Sequence, residues 1–229
     1  MNKLSVTLTR REAALGWAYL FVYLFLLPGA LGYMNMFLPR PLPEARLNFL
    51  YFLINIASVF FIGWRFLLKS LDAPIRSPFR FFRYTGIALI LYYCMNFLVM
   101  LVTTWLRPDF VNLNDTSILD MSRQEFTLMR IGTVFLVPPV EEFLFRGLVF
   151  GRIFPRSPFA AYGVSALVFA AIHVIAYVGI YDPGLLALSL LQYIPAGICL
   201  AWAYRKTDSI WAPILMHITI NEIGMRTLR

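Results

Sequence analysis

The chain has 229 residues, of which 60% are hydrophobic and only 14% are charged, and its mean hydropathy is +0.70. A soluble domain is about 45–50% apolar and about 25% charged, so the composition excludes an ordinary soluble protein and predicts an integral membrane protein. The formal charge of +8 is spread over short loops between apolar segments, which predicts contact with the lipid bilayer and no nucleic-acid partner.

Six or seven segments of the chain are apolar over the roughly 20 residues that a membrane-spanning helix needs. In chain order these segments are 14–38, 47–68, 84–106, 126–151, 159–180, 184–204 and the short 209–225. The first is predicted to be a retained span, and the polar stretch 107–125 is predicted to be the longest loop. The sequence therefore predicts an all-α fold, a polytopic transmembrane helical bundle of about seven spans with a polar cavity. It forms a single membrane domain over residues 1–229.

Basic residues are unevenly divided between the two sides that seven spans would create. The N-terminus and the loops 65–83, 152–158 and 205–208 carry 12 of the 20 Lys and Arg residues. Short loops rich in Lys and Arg stay in the cytoplasm. We therefore expect a cytoplasmic N-terminus and an external loop 107–125. The short chain favours the plasma membrane of a prokaryote.

The fourth apolar segment contains three ionisable residues, in the run PPVEEFLFRG. A charge at mid-bilayer costs about 2.5–3.5 kcal/mol on insertion scales, so such residues are expected to have a function and a partner. The two preceding prolines are predicted to interrupt the helix and to let a new helical turn begin. Glu142 and Arg146 are four residues apart and can pair on one helix face, whereas Glu141 points about 100° away and stays free for another task. A purely structural pair near the interface is the alternative.

Both histidines of the chain lie in apolar segments. His173 follows Phe169 by one helical turn, and His217 precedes Asn221 by one. Taken singly, His173 has the alternative of a satisfied core histidine, and His217 with Asn221 that of a polar pair joining two helices. Taken with Glu141, these residues form a hydrolytic set. A glutamate beside a histidine can hold and deprotonate water, and a histidine with an asparagine can donate hydrogen bonds to an oxyanion.

Three short motifs occur in a fixed order on separate apolar segments. They are EExxxR at Glu141, Glu142 and Arg146, FxxxH at Phe169 and His173, and HxxxN at His217 and Asn221. This set resembles the CAAX protease and bacteriocin-processing family, also called the Abi family of intramembrane endopeptidases. That family includes the type II CAAX prenyl endopeptidase. The similarity covers roughly residues 135–225.

The resemblance implies an intramembrane protease with a catalytic core at about 126–225 and a cavity open toward the membrane and the cytosol. It implies that Glu141 is the general base, that His173 is its partner on the water, and that His217 and Asn221 form the oxyanion site. The remaining motif residues would organise the site: Glu142, Arg146 and Phe169. The implied substrate is a membrane-associated peptide or protein, lipidated or C-terminally anchored.

Metal dependence and two other functions stay open at this point. Glu141, His173 and His217 could hold zinc as a His₂Glu site. Because neither histidine belongs to an HExxH motif, a metal-free glutamate mechanism without a cofactor is favoured. An ion- or proton-coupled transporter is an alternative, since buried Glu, Arg and His also mark proton paths, although no internal repeat is visible. A non-enzymatic bacteriocin-immunity protein with the same fold is another.

Overall fold

The computed structural model describes residues 4–227, so the first three and the last two residues of the predicted domain 1–229 lie outside it. The described chain contains no strand and forms seven helical rods in sequence. They are α1 (Arg10–Met36), α2 (Glu44–Lys69), α3 (Pro78–Leu106), α4 (113–153), α5 (Pro158–Ile172), α6 (Pro183–Thr207) and α7 (Trp211–Thr227). The predicted all-α membrane bundle is confirmed.

Four helices of the described range are long and apolar enough to cross a membrane, judged by length and composition. They are Arg10–Met36, Glu44–Arg76, Pro78–Leu106 and Pro183–Thr207. The second of these continues from α2 into the short helix Asp72–Arg76. α5 is apolar but shorter.

The predicted long loop 107–125 is wrong, because α4 already begins at residue 113. The side chain of Asn112 caps this helix by accepting hydrogen bonds from two backbone N–H groups of its first turn. Most polar residues of the first part are exposed or half-buried, while Met121 and Ser122 are buried and Ile118 packs beside Met121. A kink at Glu125 (φ −145°, ψ 69°) separates this amphipathic part from the apolar part predicted to begin at 126.

The double proline of α4 widens the helix instead of interrupting it. Backbone angles stay right-handed helical on both sides, at Leu136 and at Phe143. A π-helical stretch, Gly132–Leu136, precedes the prolines, and another, Phe143–Phe150, follows the α-helical turn Val137–Glu142. The prolines occupy the start of that α-helical turn, where their missing N–H groups are least costly. The predicted new turn is therefore present, but within a continuous rod.

α4 is the central helix of the bundle, and every residue from 138 to 151 is buried. Its second π-helical stretch, Phe143–Phe150, packs against α5, α1 and α6. Its α-helical turn, Val137–Glu142, packs against α2 and α7. A helix that is apolar all round belongs in the middle of a bundle. This position explains how two glutamates and an arginine become enclosed by protein and not by lipid.

The fifth predicted span, 159–180, ends earlier than expected, at Ile172. His173 caps the C-terminus of α5, and the chain continues through a short 3-10 helix, Ile175–Tyr177, to Gly179. Gly179 has φ +85°, a conformation that favours glycine and stops a helix. His173 therefore lies at a helix end next to a loop, and not in the middle of a span.

Hydrogen bonds at the start of α6 hold the end of the loop that follows His173. The Asp182 carboxylate accepts a hydrogen bond from the Leu185 N–H (2.9 Å) and another from Arg107 Nη1 (3.0 Å). These two contacts, the backbone bond first, hold the pKa of Asp182 below its ordinary value. The end of α3 is thereby joined to the start of α6.

Candidate active site

Glu142 and Arg146 form an ion pair in the centre of the bundle. Arg146 Nη1 donates to Glu142 Oε1 over 3.0 Å, and both side chains have no exposed surface. Arg146 Nη2 donates to the carbonyl oxygen of Gly197 on α6 (3.3 Å), which links α4 to α6. This pairing agrees with the prediction that Glu142 and Arg146 lie on one helix face.

His217 of α7 contacts the same carboxylate oxygen, whereas Glu142 Oε2 has no hydrogen-bond partner among residues 4–227. His217 Nδ1 donates to Glu142 Oε1 over 2.8 Å, and its Nε2 lies 4.0 Å from Glu141 Oε2. A hydrogen bond at one ring nitrogen fixes the orientation of the ring and the role of the other nitrogen. Glu142 therefore aims His217 Nε2 at Glu141.

Glu141 is buried, and its carboxylate contacts a different helix, α1. Its Oε1 accepts a hydrogen bond from the hydroxyl of Tyr23 on α1 (3.4 Å), and its Oε2 has no hydrogen-bond partner within the described chain. Tyr23 is held in turn by Tyr51 of α2, whose ring stacks on it at 5.8 Å and whose hydroxyl donates to its backbone carbonyl. A buried carboxylate oxygen without a partner is costly and needs a functional explanation.

Phe169 of α5 lies between the charged groups of the site. The Arg146 guanidinium lies 4.2 Å from the centre of its ring, a cation–π contact. The same ring lies 4.8 Å from the His173 ring and 5.8 Å from the His217 ring, between centroids. Phe169 thus contacts both imidazoles and the guanidinium and provides an apolar wall for the site.

His173 is held from two sides. Its Nδ1 donates to the carbonyl oxygen of Phe169 (2.8 Å), and its ring stacks on Tyr193 of α6 at 4.0 Å. The Tyr193 hydroxyl donates to Asn112 Oδ1 (3.2 Å) at the start of α4. No hydrogen bond joins His173 to Glu141 among residues 4–227, although the two interact electrostatically. The Nδ1–H bond leaves the lone pair of His173 Nε2 available.

Asn221 lies one turn beyond His217 on α7 and contacts a different part of α4. Its Nδ2 donates to the backbone carbonyl oxygen of Thr133 over 2.7 Å. The structure therefore brings Glu141, Glu142, Arg146, Phe169 and His217 into one contiguous cluster, with His173 against its Phe169 wall. Asn221 lies beside this cluster and is bonded to backbone.

Sequence reasoning did not find three residues that contact the predicted site, namely Tyr23, Tyr193 and Gly197. Tyr23 and Tyr193 lie in apolar segments without a motif, and their roles arise from how α1 and α6 pack. Gly197 approaches α5 so closely that an added Cβ would lie 2.7 Å from the Cα of Ala166. A small residue within a long apolar helix was the only signal of this close contact.

The arrangement of the side chains bears on zinc binding. In the part of the chain that the structure describes, no group of three His, Cys, Asp or Glu side chains is arranged to hold a metal ion. Glu141, His173 and His217 thus do not form a ready-made His₂Glu site. We therefore derive no step through a metal.

The fold and the site together define a helical membrane protein whose carboxylates, imidazoles and guanidinium are enclosed at the centre of the bundle. Residues 123–223 match the family described as "Type II CAAX prenyl endopeptidase Rce1-like". This segment contains all three motifs and is similar to the CAAX protease and bacteriocin-processing family, as the motifs predict.

One curated relative extends this comparison. The chain is 31% identical over 109 residues to the Bacillus subtilis (strain 168) protein named "Putative membrane peptidase YdiL". The alignment covers 47% of this chain and 40% of that relative, so it spans less than half of the relative's length. No solved structure matches the chain significantly.

Proposed function

We propose that this protein is an intramembrane endopeptidase that hydrolyses a peptide bond of a membrane-associated substrate. The observation that carries the proposal is the Glu141 carboxylate, which is enclosed in the bundle 4.0 Å from His217 Nε2 and whose Oε2 has no hydrogen-bond partner among residues 4–227. This carboxylate lies in the segment that matches an endopeptidase family. A buried ionisable group that is not fully paired is expected at a membrane site that performs chemistry.

In the proposed reaction, Glu141 acts as the general base. A water molecule donates one hydrogen bond to Glu141 Oε2 and the other to His173 Nε2, whose lone pair the Nδ1–H bond leaves free. Glu141 removes a proton as the water oxygen attacks the scissile carbonyl carbon. The same proton then passes to the leaving amine as the C–N bond breaks, so that a carboxylic acid and an amine result.

The developing oxyanion is proposed to receive hydrogen bonds from α7. The contact of Nδ1 with the Glu142 carboxylate orients His217 so that Nε2 supplies one of these hydrogen bonds. Asn221 uses one amide hydrogen on the Thr133 carbonyl and keeps a second one for the oxyanion. Glu142, Arg146 and Phe169 hold these groups in place.

The expected substrate is a peptide or protein anchored in the bilayer, by a lipid or by a C-terminal segment. The family description names a CAAX prenyl endopeptidase, and we propose the broader class of membrane-anchored substrates because the match covers only residues 123–223 of this chain. The plasma membrane of a prokaryote and a cytoplasmic N-terminus remain predictions of the composition and charge distribution.

The decisive experiment compares the purified wild type with Glu141→Gln on a panel of membrane-anchored peptides. General-base catalysis typically contributes 10²–10⁴-fold, so we expect turnover to fall at least about a hundredfold. Glu44→Gln, on an exposed side chain at the start of α2, is the matched control and is expected to cleave at the wild-type rate.

Two outcomes would refute the proposal. If the wild type cleaves no peptide and ion flux into vesicles depends on Glu141, the protein is a transporter. If it neither cleaves nor conducts but binds a bacteriocin, it is an immunity protein.

Metal analysis with assays after strong chelation separates the glutamate mechanism from a metal mechanism: the proposal expects full activity, whereas stoichiometric zinc needed for turnover would contradict it.

A further inference from the structure

The double proline leaves a backbone carbonyl of α4 without a helical donor. In the π-helical stretch before the prolines, the N–H of Val137 donates to the carbonyl of Gly132, five residues earlier. The next donor in that register, for the carbonyl of Thr133, would be residue 138, which is a proline and has no N–H. Within a membrane protein, such a freed carbonyl must find another donor.

The side chain of Asn221 supplies that donor. Its Nδ2 lies 2.7 Å from the Thr133 carbonyl oxygen, although the two residues are 88 positions apart in the chain. One turn earlier on the same helix, His217 bonds Glu142 on the other side of the prolines. α7 therefore contacts α4 before and after the proline pair.

We infer that Asn221 is a positioning residue that replaces the backbone hydrogen bond removed by Pro138 and so fixes the widened turn of α4. This turn leads directly into Glu141 and Glu142, so its geometry sets where both carboxylates point. The consequence for catalysis rests on the proposed function, whereas the stabilisation of α4 does not. A simple oxyanion donor would have no energetic connection to Pro138.

A double-mutant cycle in thermal unfolding tests this connection. Asn221→Ala leaves the Thr133 carbonyl buried without a donor, and we expect a Tm about 2–6 °C lower, together with faster amide hydrogen exchange over residues 133–142. Pro138→Ala restores a backbone N–H beside the freed carbonyl. In the double variant, we expect at least half of the lost Tm to return and the exchange to slow again.

Thr219→Ala is the matched control, because Thr219 lies on the same helix and its hydroxyl bonds only the carbonyl of Leu215 within α7. Its effect should add to that of Pro138→Ala without coupling. A double variant of Asn221 and Pro138 whose Tm loss equals the sum of the single losses would overturn the inference.

Turnover of the same variants separates this inference from the proposed function. Recovery of Tm without recovery of turnover supports the backbone role of Asn221 and retains its separate oxyanion role. Recovery of both also supports the backbone role and argues against an oxyanion role. If the wild type shows no proteolysis, Tm and hydrogen exchange still decide the inference by themselves.

Discussion

Replacing Arg146 by Ala tests whether the buried ion pair organises the site. Both side chains of the pair have no exposed surface, and Arg146 also bonds the Gly197 carbonyl and lies on Phe169. Removal of one partner from a buried pair costs about 3–5 kcal/mol, because the other charge stays enclosed. In a chain of this size, 1 kcal/mol shifts Tm by about 2–4 °C, so the variant should unfold about 6–20 °C lower in detergent.

Two further variants make this prediction specific. Arg76→Ala removes an ion pair of the same i,i+4 spacing, with Asp72, that is highly exposed, and it should change stability by less than about 1 kcal/mol. The double variant Arg146→Met with Glu142→Gln keeps an acceptor for His217 while it removes both charges, and it should recover more than half of the lost stability. An Arg146→Ala protein as stable as Arg76→Ala would refute the reasoning.

Two other predictions concern the helices around the central one. Tyr23→Phe removes the hydroxyl that bonds Glu141 over 3.4 Å, a long contact that we take as about 1 kcal/mol, so kcat should fall about fivefold at an unchanged KM, and Tm should fall by about 2–4 °C. Tyr33→Phe, at an exposed tyrosine of the same helix, should retain the wild-type kcat; equal losses in both variants would contradict a specific contact. Gly197→Ala forces a methyl group against α5 and should cost about 1–3 kcal/mol of unfolding free energy. Gly163→Ala, with open space around it, should be neutral or slightly stabilising, and similar Tm values for the two variants would show that α5 and α6 can separate freely.

The features that the sequence predicted are those set by local spacing. Apolar runs of sufficient length indicated the order of the helices, and the four-residue spacing of Glu142 and Arg146 placed them on one face, where the structure pairs them. The helical start of α4 escaped prediction because its polar sequence is typical of a loop. The packing of Met121, which the sequence alone does not show, is what identifies a buried side of this helix.

Other features depend on tertiary structure and left no readable pattern. The bond from Asn221 to Thr133 requires knowledge of a π-helical register, which no periodicity of the sequence reveals. The early end of α5, with His173 as its cap, follows from the loop beyond it. In the sequence, Gly179 was the only sign of this loop. The catalytic roles of the motif residues remain predictions until turnover is measured.

The hydroxyl that reaches Glu141 comes from α1, far outside the segment 123–223 that matches the family. An excised polypeptide of the matched residues would present this carboxylate to lipid tails, and we expect it to be inactive. Supplying α1–α3 as a second polypeptide should restore turnover by complementation of the two halves. Relatives with different leading helices could then retain the same motifs and still differ in how firmly their base is oriented.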